Sequence, residues 1–250
     1  MSDDPRPDTP DEPASASELL GAALGDAARR AGLDPAEGTT TGHVVWHAMG
    51  GWRGILESVL PSLAFLLIYT VWHDLVVALV ISVGLAGVFT LVRLATKSPP
   101  SAAIGGLIAT VAAAALALWT GRAQDNFIWG FVTNSAYGTA FLVSALIGWP
   151  LIGLAVGFLM GEGTRWRADK RKRRVFFWLS IAWAGLFFAR LAVQLPLYFA
   201  ANAAEVGSAD QIALTTALGT TKLIMGLPLF APMVAVTWLA VRALYPPNPK

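Results

Sequence analysis

The sequence predicts an all-α fold, a polytopic transmembrane helix bundle, and three observations carry that prediction. Of 250 residues, 55% are hydrophobic and 14% charged, where a soluble domain carries roughly 25% charged residues. The apolar residues gather in runs near the roughly 20 residues that a helix needs to cross about 30 Å of hydrocarbon. The charges are segregated as well: residues 1–40 hold nine acids against Arg6, Arg29 and Arg30, a net of −6, which leaves +8 on the rest of a chain whose total is +2.

Residues 1–42 read as an acidic, mostly disordered cytoplasmic arm, because MSDDPRPDTPDEP has too little apolar surface to offset the entropy of ordering. The same stretch lacks the basic start and apolar core of a signal peptide, so an internal segment is expected to direct insertion. Ser15 and Glu18 have capping-box spacing ahead of Leu19, Leu20, Ala23 and Leu24, which allows a short amphipathic helix over 16–32. Gly21 and Gly25, each costing about 1 kcal/mol in a helix, favour a partly helical tether there.

Residues 43–250 read as the transmembrane domain, with about six spans near 54–72, 75–94, 101–119, 127–148, 175–200 and 223–243. The stretch 150–161, between Pro150 and Glu162, is too short to span and is expected to lie at the interface or re-enter. Arg93 and Lys97, Arg242 and Lys250, and the run RWRADKRKRR all fall on one face of this topology, against Arg122 on the other. The positive-inside rule therefore predicts a plasma-membrane protein with both termini cytoplasmic. Trp72, Trp119 and Trp129 would form one aromatic belt and Trp52, Trp149 and Trp178 the other. Gly153, Gly157 and Gly161, and separately Gly105, Ala109, Ala113 and Ala117, repeat every four residues, as packing faces in lipid do.

Little here suggests catalysis. No Gly-rich phosphate loop, GxSxG elbow or close acidic pair is present. His43 and His47 share a helical spacing, but the remaining His73 lies across the membrane, and there is no cysteine. No metal, cofactor or enzymatic activity is expected. The basic loop of Arg165, Arg167, Lys170, Arg171, Lys172, Arg173 and Arg174 sits between two spans, so it orients the chain and attracts anionic lipids of the bilayer, at about 1 kcal/mol per basic side chain. Nucleic acid is not an expected partner; a membrane-protein partner or a second copy of the chain is.

The ionisable residues inside the spans are the candidate site. Glu57 falls a short way past Trp52 and reads as an interfacial carboxylate facing Arg53 or the basic loop. Arg190 lies 15 residues beyond Val175, about 22 Å along the helix. Asn134, Tyr137 and Gln194 are at comparable depth, and with a proline-freed carbonyl they are expected to surround it. Lys222 completes this candidate polar cluster, at the start of the last span, where its stem can snorkel outward. RLAVQLPLYFA from Arg190 and KLIMGLPLFAP from Lys222 also echo each other, each with a basic residue six before a proline. Helices broken at matching places can mark a binding site.

GGWRGILESVLPSLAFLLIY (Gly50 to Tyr69), NSAYGTAFLVSALIGWPLIGLAVGFLMGEGTRWR (Asn134 to Arg167), LFFARLAVQLPLY (Leu186 to Tyr198) and KLIMGLPLF (Lys222 to Phe230) resemble an actinobacterial family of multi-pass membrane proteins classed as a domain of unknown function. FIWGFVTNSAY (Phe127 to Tyr137) and AWAGLFFA (Ala182 to Ala189) are more distantly similar to the intracellular septation protein A group. These resemblances imply a non-enzymatic cell-envelope or division-associated scaffold. The rival reading is a small transporter or channel for an anion or anionic lipid, with a site between spans four, five and six.

Overall fold

The structure is a computed structural model that describes residues 51–96 and 101–246. The arm, with its 16–32 helix, and His43 and His47 lie outside the described residues, as do the side chains of Trp52 and Arg53. Among the described residues eight α-helices follow one another: α1 (Gly51–Trp72), α2 (Leu75–Ala95), α3 (Ser101–Thr120), α4 (Ile128–Leu146), α5 (Leu151–Leu159), α6 (Lys170–Ala203), α7 (Ala209–Ile224) and α8 (Leu227–Leu244). Short 3₁₀ turns at Ala123–Phe127 and Arg165–Ala168 precede α4 and α6. Among the same residues there is no strand, as the apolar runs require.

Among the described residues four stretches are long and apolar enough to cross a membrane: Gly54–Trp72, Leu75–Ala95, Lys170–Ala203 and Ala209–Leu244. A fifth exists if Ala123–Leu146 and Leu151–Leu159, bent by 83° against each other, count as one broken span. Among the described residues four or five such spans are found by length and composition, and a sixth is not. α3, Ser101–Thr120, is 20 residues long, and its stretch Ile104–Thr120 is apolar. The bend puts α5 steeply across α4, consistent with an interfacial or re-entrant 150–161.

The last span differs from its expected bounds. The stretch 201–222 falls between the expected spans 175–200 and 223–243, yet helix resumes at Ala209. Ser208 caps it, its hydroxyl accepting the Gln211 N–H at 3.2 Å, and Asp210 in the first turn complements the helix dipole. The span is a discontinuous pair, α7 then α8, interrupted at Met225–Gly226.

Two buried cores hold the bundle. One joins Phe65, Tyr69, Leu79, Phe127, Phe131, Leu191 and Leu218; the other, at the end bearing the basic loop, joins Val156, Trp166, Phe176, Leu179 and Val241. The closest helix pairings are α4 with α6, α1 with α2, and α6 with α7. α8 is thinly packed, burying Trp238 and Val241. Large apolar side chains face outward all round the bundle, Trp119 86% exposed among them, as a lipid-facing surface demands.

The glycine face of α5 packs against α6, where a Cβ at Gly153 would come 3.0 Å from Phe176, and also against the Trp166 turn. A Cβ at Gly157 would collide with the Gly163 carbonyl and the Trp166 indole, and one at Gly153 would come 2.7 Å from the same ring. The groove therefore seats Trp166, which is 1% exposed. On α3, Ala113 and Ala117 are buried as a packing face requires, whereas Gly105 is exposed.

Candidate functional site

Arg190 sits in mid-helix, 20 residues past Lys170 and 13 short of Ala203, roughly 30 Å and 20 Å from the ends of α6 at 1.5 Å per residue. Gly226 is at matching depth across the interface, and its carbonyl accepts a 3.0 Å hydrogen bond from Arg190 Nη2. The break there has a local cause. Pro228 lacks an N–H and its ring crowds the carbonyl four residues back, and with Gly226 two residues before it the helix arriving from α7 does not continue. The final α7 bond is Met225 N–H to the Thr221 carbonyl, Gly226 leaves helical geometry at ψ −114°, and α8 restarts with Pro228 in its first turn, where proline is tolerated.

The Gly226 carbonyl also accepts the Phe230 N–H at 3.0 Å, so the oxygen is satisfied without the guanidinium. Arg190 is the group left wanting. Among the described residues its five N–H donors find that one acceptor, and its Nε is buried with no partner. Among the described residues no carboxylate pairs with this guanidinium, which keeps donors to spare inside an apolar bundle.

The residues expected around Arg190 do not converge on it. Asn134 donates to the Gly130 carbonyl of its own helix at 2.6 Å. Tyr137 is exposed and lies against Phe187, ring centroids 5.5 Å apart, while the Arg190 guanidinium is 6.0 Å from that same ring. Both groups thus contact Phe187, and no hydrogen bond joins the phenol to the guanidinium. Gln194 is buried one turn from Arg190 and makes no hydrogen bond to it. The acceptor that Arg190 has is the Gly226 carbonyl, which also accepts within α8 and so is not one left free by Pro228.

Lys222 is not at the mouth of a span. It lies in the last turn of α7, where its ammonium is 5.0 Å from the centre of the Phe127 ring and lines a cavity of about 160 Å³. Glu57 meets Arg93 of α2 at 2.8 Å, a partner on a neighbouring helix that spacing along α1 did not suggest.

The basic loop is divided. Lys172 Nζ holds Glu162 at 2.6 Å and Tyr245 donates to the same carboxylate at 2.7 Å, while Arg167 stacks over Trp149 at 3.7 Å. Asp169 caps α6 by accepting from the Arg171 N–H at 2.7 Å. Arg165, Lys170, Arg171, Arg173 and Arg174 remain exposed. Burial alone would raise the Glu162 carboxyl, but the hydrogen bonds from Lys172 and Tyr245 and the charges of Lys172 and Arg165 outweigh it, holding it below the usual glutamate range. Burial and this carboxylate push the Tyr245 phenol up.

A second polar network escaped the sequence reading. Arg122 donates to Asn202 Oδ1 at 2.8 Å, as does Gln124 at 2.9 Å, and Gln211 donates to Gln124 Oε1 at 3.2 Å. Beside it Tyr198 donates to Asp125 at 2.8 Å. Gln124 and Gln211 are buried, 0% and 2% exposed, and nothing in their local sequence distinguishes them from loop residues. Among the described residues no cluster of His, Asp and Glu has the makings of a metal site.

Residues 49–248 match a family described as a protein of unknown function, DUF3159. The chain belongs to the DUF3159 family. No curated protein and no solved structure matches it. The match takes in every described helix of this DUF3159 member, including the α7–α8 break and Arg190.

Proposed function

We propose that this chain is a non-enzymatic plasma-membrane protein that conducts an anion, or an anionic lipid headgroup, past the discontinuous helix α7–α8. One observation carries the reading: a mid-bundle guanidinium rests on the carbonyl of a broken helix with its other donors free among the described residues. Discontinuous helices at mid-depth are the usual way for membrane transporters to expose polar backbone to a substrate. The thin packing of α8 supports movement of that half. Beyond Arg190–Gly226, its polar ties among the described residues are the Trp183–Thr237 bond at 3.0 Å and the Tyr245–Glu162 bond.

The exposed arginines and lysine of the basic loop suit anionic headgroups at a cytoplasmic surface, and both termini would share that side. The envelope-scaffold reading rests on distant resemblance alone, whereas Arg190 gives transport a location, between α6, α7 and α8.

The test is flux into proteoliposomes, with nitrate uptake in one arm and transbilayer movement of labelled phosphatidylglycerol in the other. Wild type is expected to carry one of them, and Arg190→Leu is expected to lose it while melting as a folded helical protein. Absence of both fluxes from wild type, or full flux in Arg190→Leu, overturns the reading.

A further inference from the structure

We propose that the cavity at Lys222 is a binding site for a small inorganic anion, separate from the Arg190 junction. It extends the transport reading above and rests on that reading only for the passage of the ion. The cavity, about 160 Å³, is walled by α1, α2, α3, the start of α4 and the end of α7. Drug-sized ligands occupy roughly 300–1,000 Å³ and a water about 30 Å³, so this volume suits an ion of a few atoms and not a glycerophospholipid.

The lining chemistry selects the sign of the charge. Lys222 Nζ, the Asn126 amide and the Ser62 hydroxyl line the cavity, and among the described residues none of the three has a hydrogen-bond partner. Thr110 and Ser82 add hydroxyls whose protons are already given to the carbonyls of Gly106 and Pro61, at 2.8 and 2.9 Å. Among the described residues no carboxylate lines the space. The nearest along the chain, Asp125, accepts the Tyr198 hydroxyl instead. An ammonium, an amide and a hydroxyl with free donors around one cavity form a set that an anion satisfies. Phe127 on the ammonium offers its ring face, which stabilises a cation without neutralising it.

Purified full-length protein in phosphatidylcholine nanodiscs is melted in sodium nitrate and in sodium gluconate of equal ionic strength, gluconate being too bulky for the cavity. Because a ligand that binds the folded state stabilises it by mass action, nitrate is expected to raise Tm over gluconate in a saturable way. Lys222→Met is expected to abolish that increment. If this variant fails to fold, Ala113→Leu, which fills the cavity and keeps the ammonium, is expected to do the same. An increment that survives Lys222→Met or Ala113→Leu, or that is absent from wild type, overturns the site, as does one produced by phosphatidylglycerol in place of nitrate. The two claims fail separately: a lost nitrate increment with intact nitrate flux removes this site alone, and a Lys222-dependent increment without either flux removes the transport reading alone.

Discussion

The segments RLAVQLPLYFA and KLIMGLPLFAP share a basic residue followed by Leu and then Leu-Pro-Leu, yet the first lies in a continuous helix and the second breaks. Pro196 sits inside the unbroken 34-residue α6, whereas Pro228 begins a new helix after two non-helical residues. A proline alone is therefore not what interrupts α7–α8. At the position two before the proline, the first copy has Gln194, buried and helical, and the second has Gly226. Glycine adds to the proline a residue that costs about 1 kcal/mol in a helix, enough to tip a span already missing a hydrogen bond. The two copies also meet, since the basic residue of the straight one bonds to the glycine of the broken one. One supplies the charge and the other the exposed backbone.

The largest effect that follows concerns the prolines. Pro196→Ala restores a backbone bond and removes a ring clash within a continuous helix, and is expected to stabilise by up to about 3 kcal/mol. Pro228→Ala, in a first helical turn, is expected to change stability by less than about 1 kcal/mol. Denaturation in mixed detergent micelles, followed by circular dichroism, compares them, and equal effects would remove the distinction between the copies.

Next is Gly226→Ala. Its Cβ would lie 3.1 Å from the Lys222 carbonyl and 3.2 Å from that of Leu223, both backbone atoms with little room to give. The expected cost is about 2 kcal/mol, typical of overpacking. Nitrate or phosphatidylglycerol flux should fall along with it, because the carbonyl beneath Arg190 has to shift. A neutral melt with normal flux would mean that the break tolerates a side chain and that glycine is not its cause.

A smaller effect comes from making the straight copy resemble the broken one. Gln194→Gly is expected to destabilise by about 1 kcal/mol while α6 stays continuous, because its neighbours α4 and α7 pack along it. Cysteine labels at Arg174 and Ala203, measured by pulsed dipolar spectroscopy, report whether the helix keeps its length. Shortening would show that glycine suffices to break either copy.

This contrast also shows what the sequence could and could not reveal. Span existence was legible for α1, α2 and α6, because long apolar runs leave a backbone in lipid no option other than helix. The start of α7 was not, since Thr215, Thr216, Thr220 and Thr221 look like loop, although in a helix their hydroxyls can turn back onto its own carbonyls, as Thr220 does onto Thr216 at 2.8 Å. Arg190 was legible as a buried charge needing a carbonyl, but which carbonyl depended on the depth at which α7 and α6 cross. Glu57–Arg93 and Gln124–Gln211 join residues distant in sequence, and helical spacing carries no information about such pairs.

The smallest effect separates the mid-bundle junction from the basic end. Tyr245, just past α8, ties that helix to Glu162, which Lys172 also holds, so this tether contains a carboxylate where the Arg190–Gly226 tether has none. Glu162 titrates lower in the folded chain than in an unfolded one, where an ordinary glutamate lies near about 4.3. Its contribution to stability is therefore complete above that ordinary value and is lost as pH falls through the lower, folded one. Being partly exposed and screened, the carboxylate is expected to account for under about 1 kcal/mol of the loss as pH falls below roughly 5. Glu162→Gln should flatten that part of the pH profile and Tyr245→Phe should reduce it, while Arg190→Leu should leave it as in wild type. A profile unchanged in Glu162→Gln would show that the acid-sensitive step lies elsewhere. One altered in Arg190→Leu would show that the two tethers of α8 act as one.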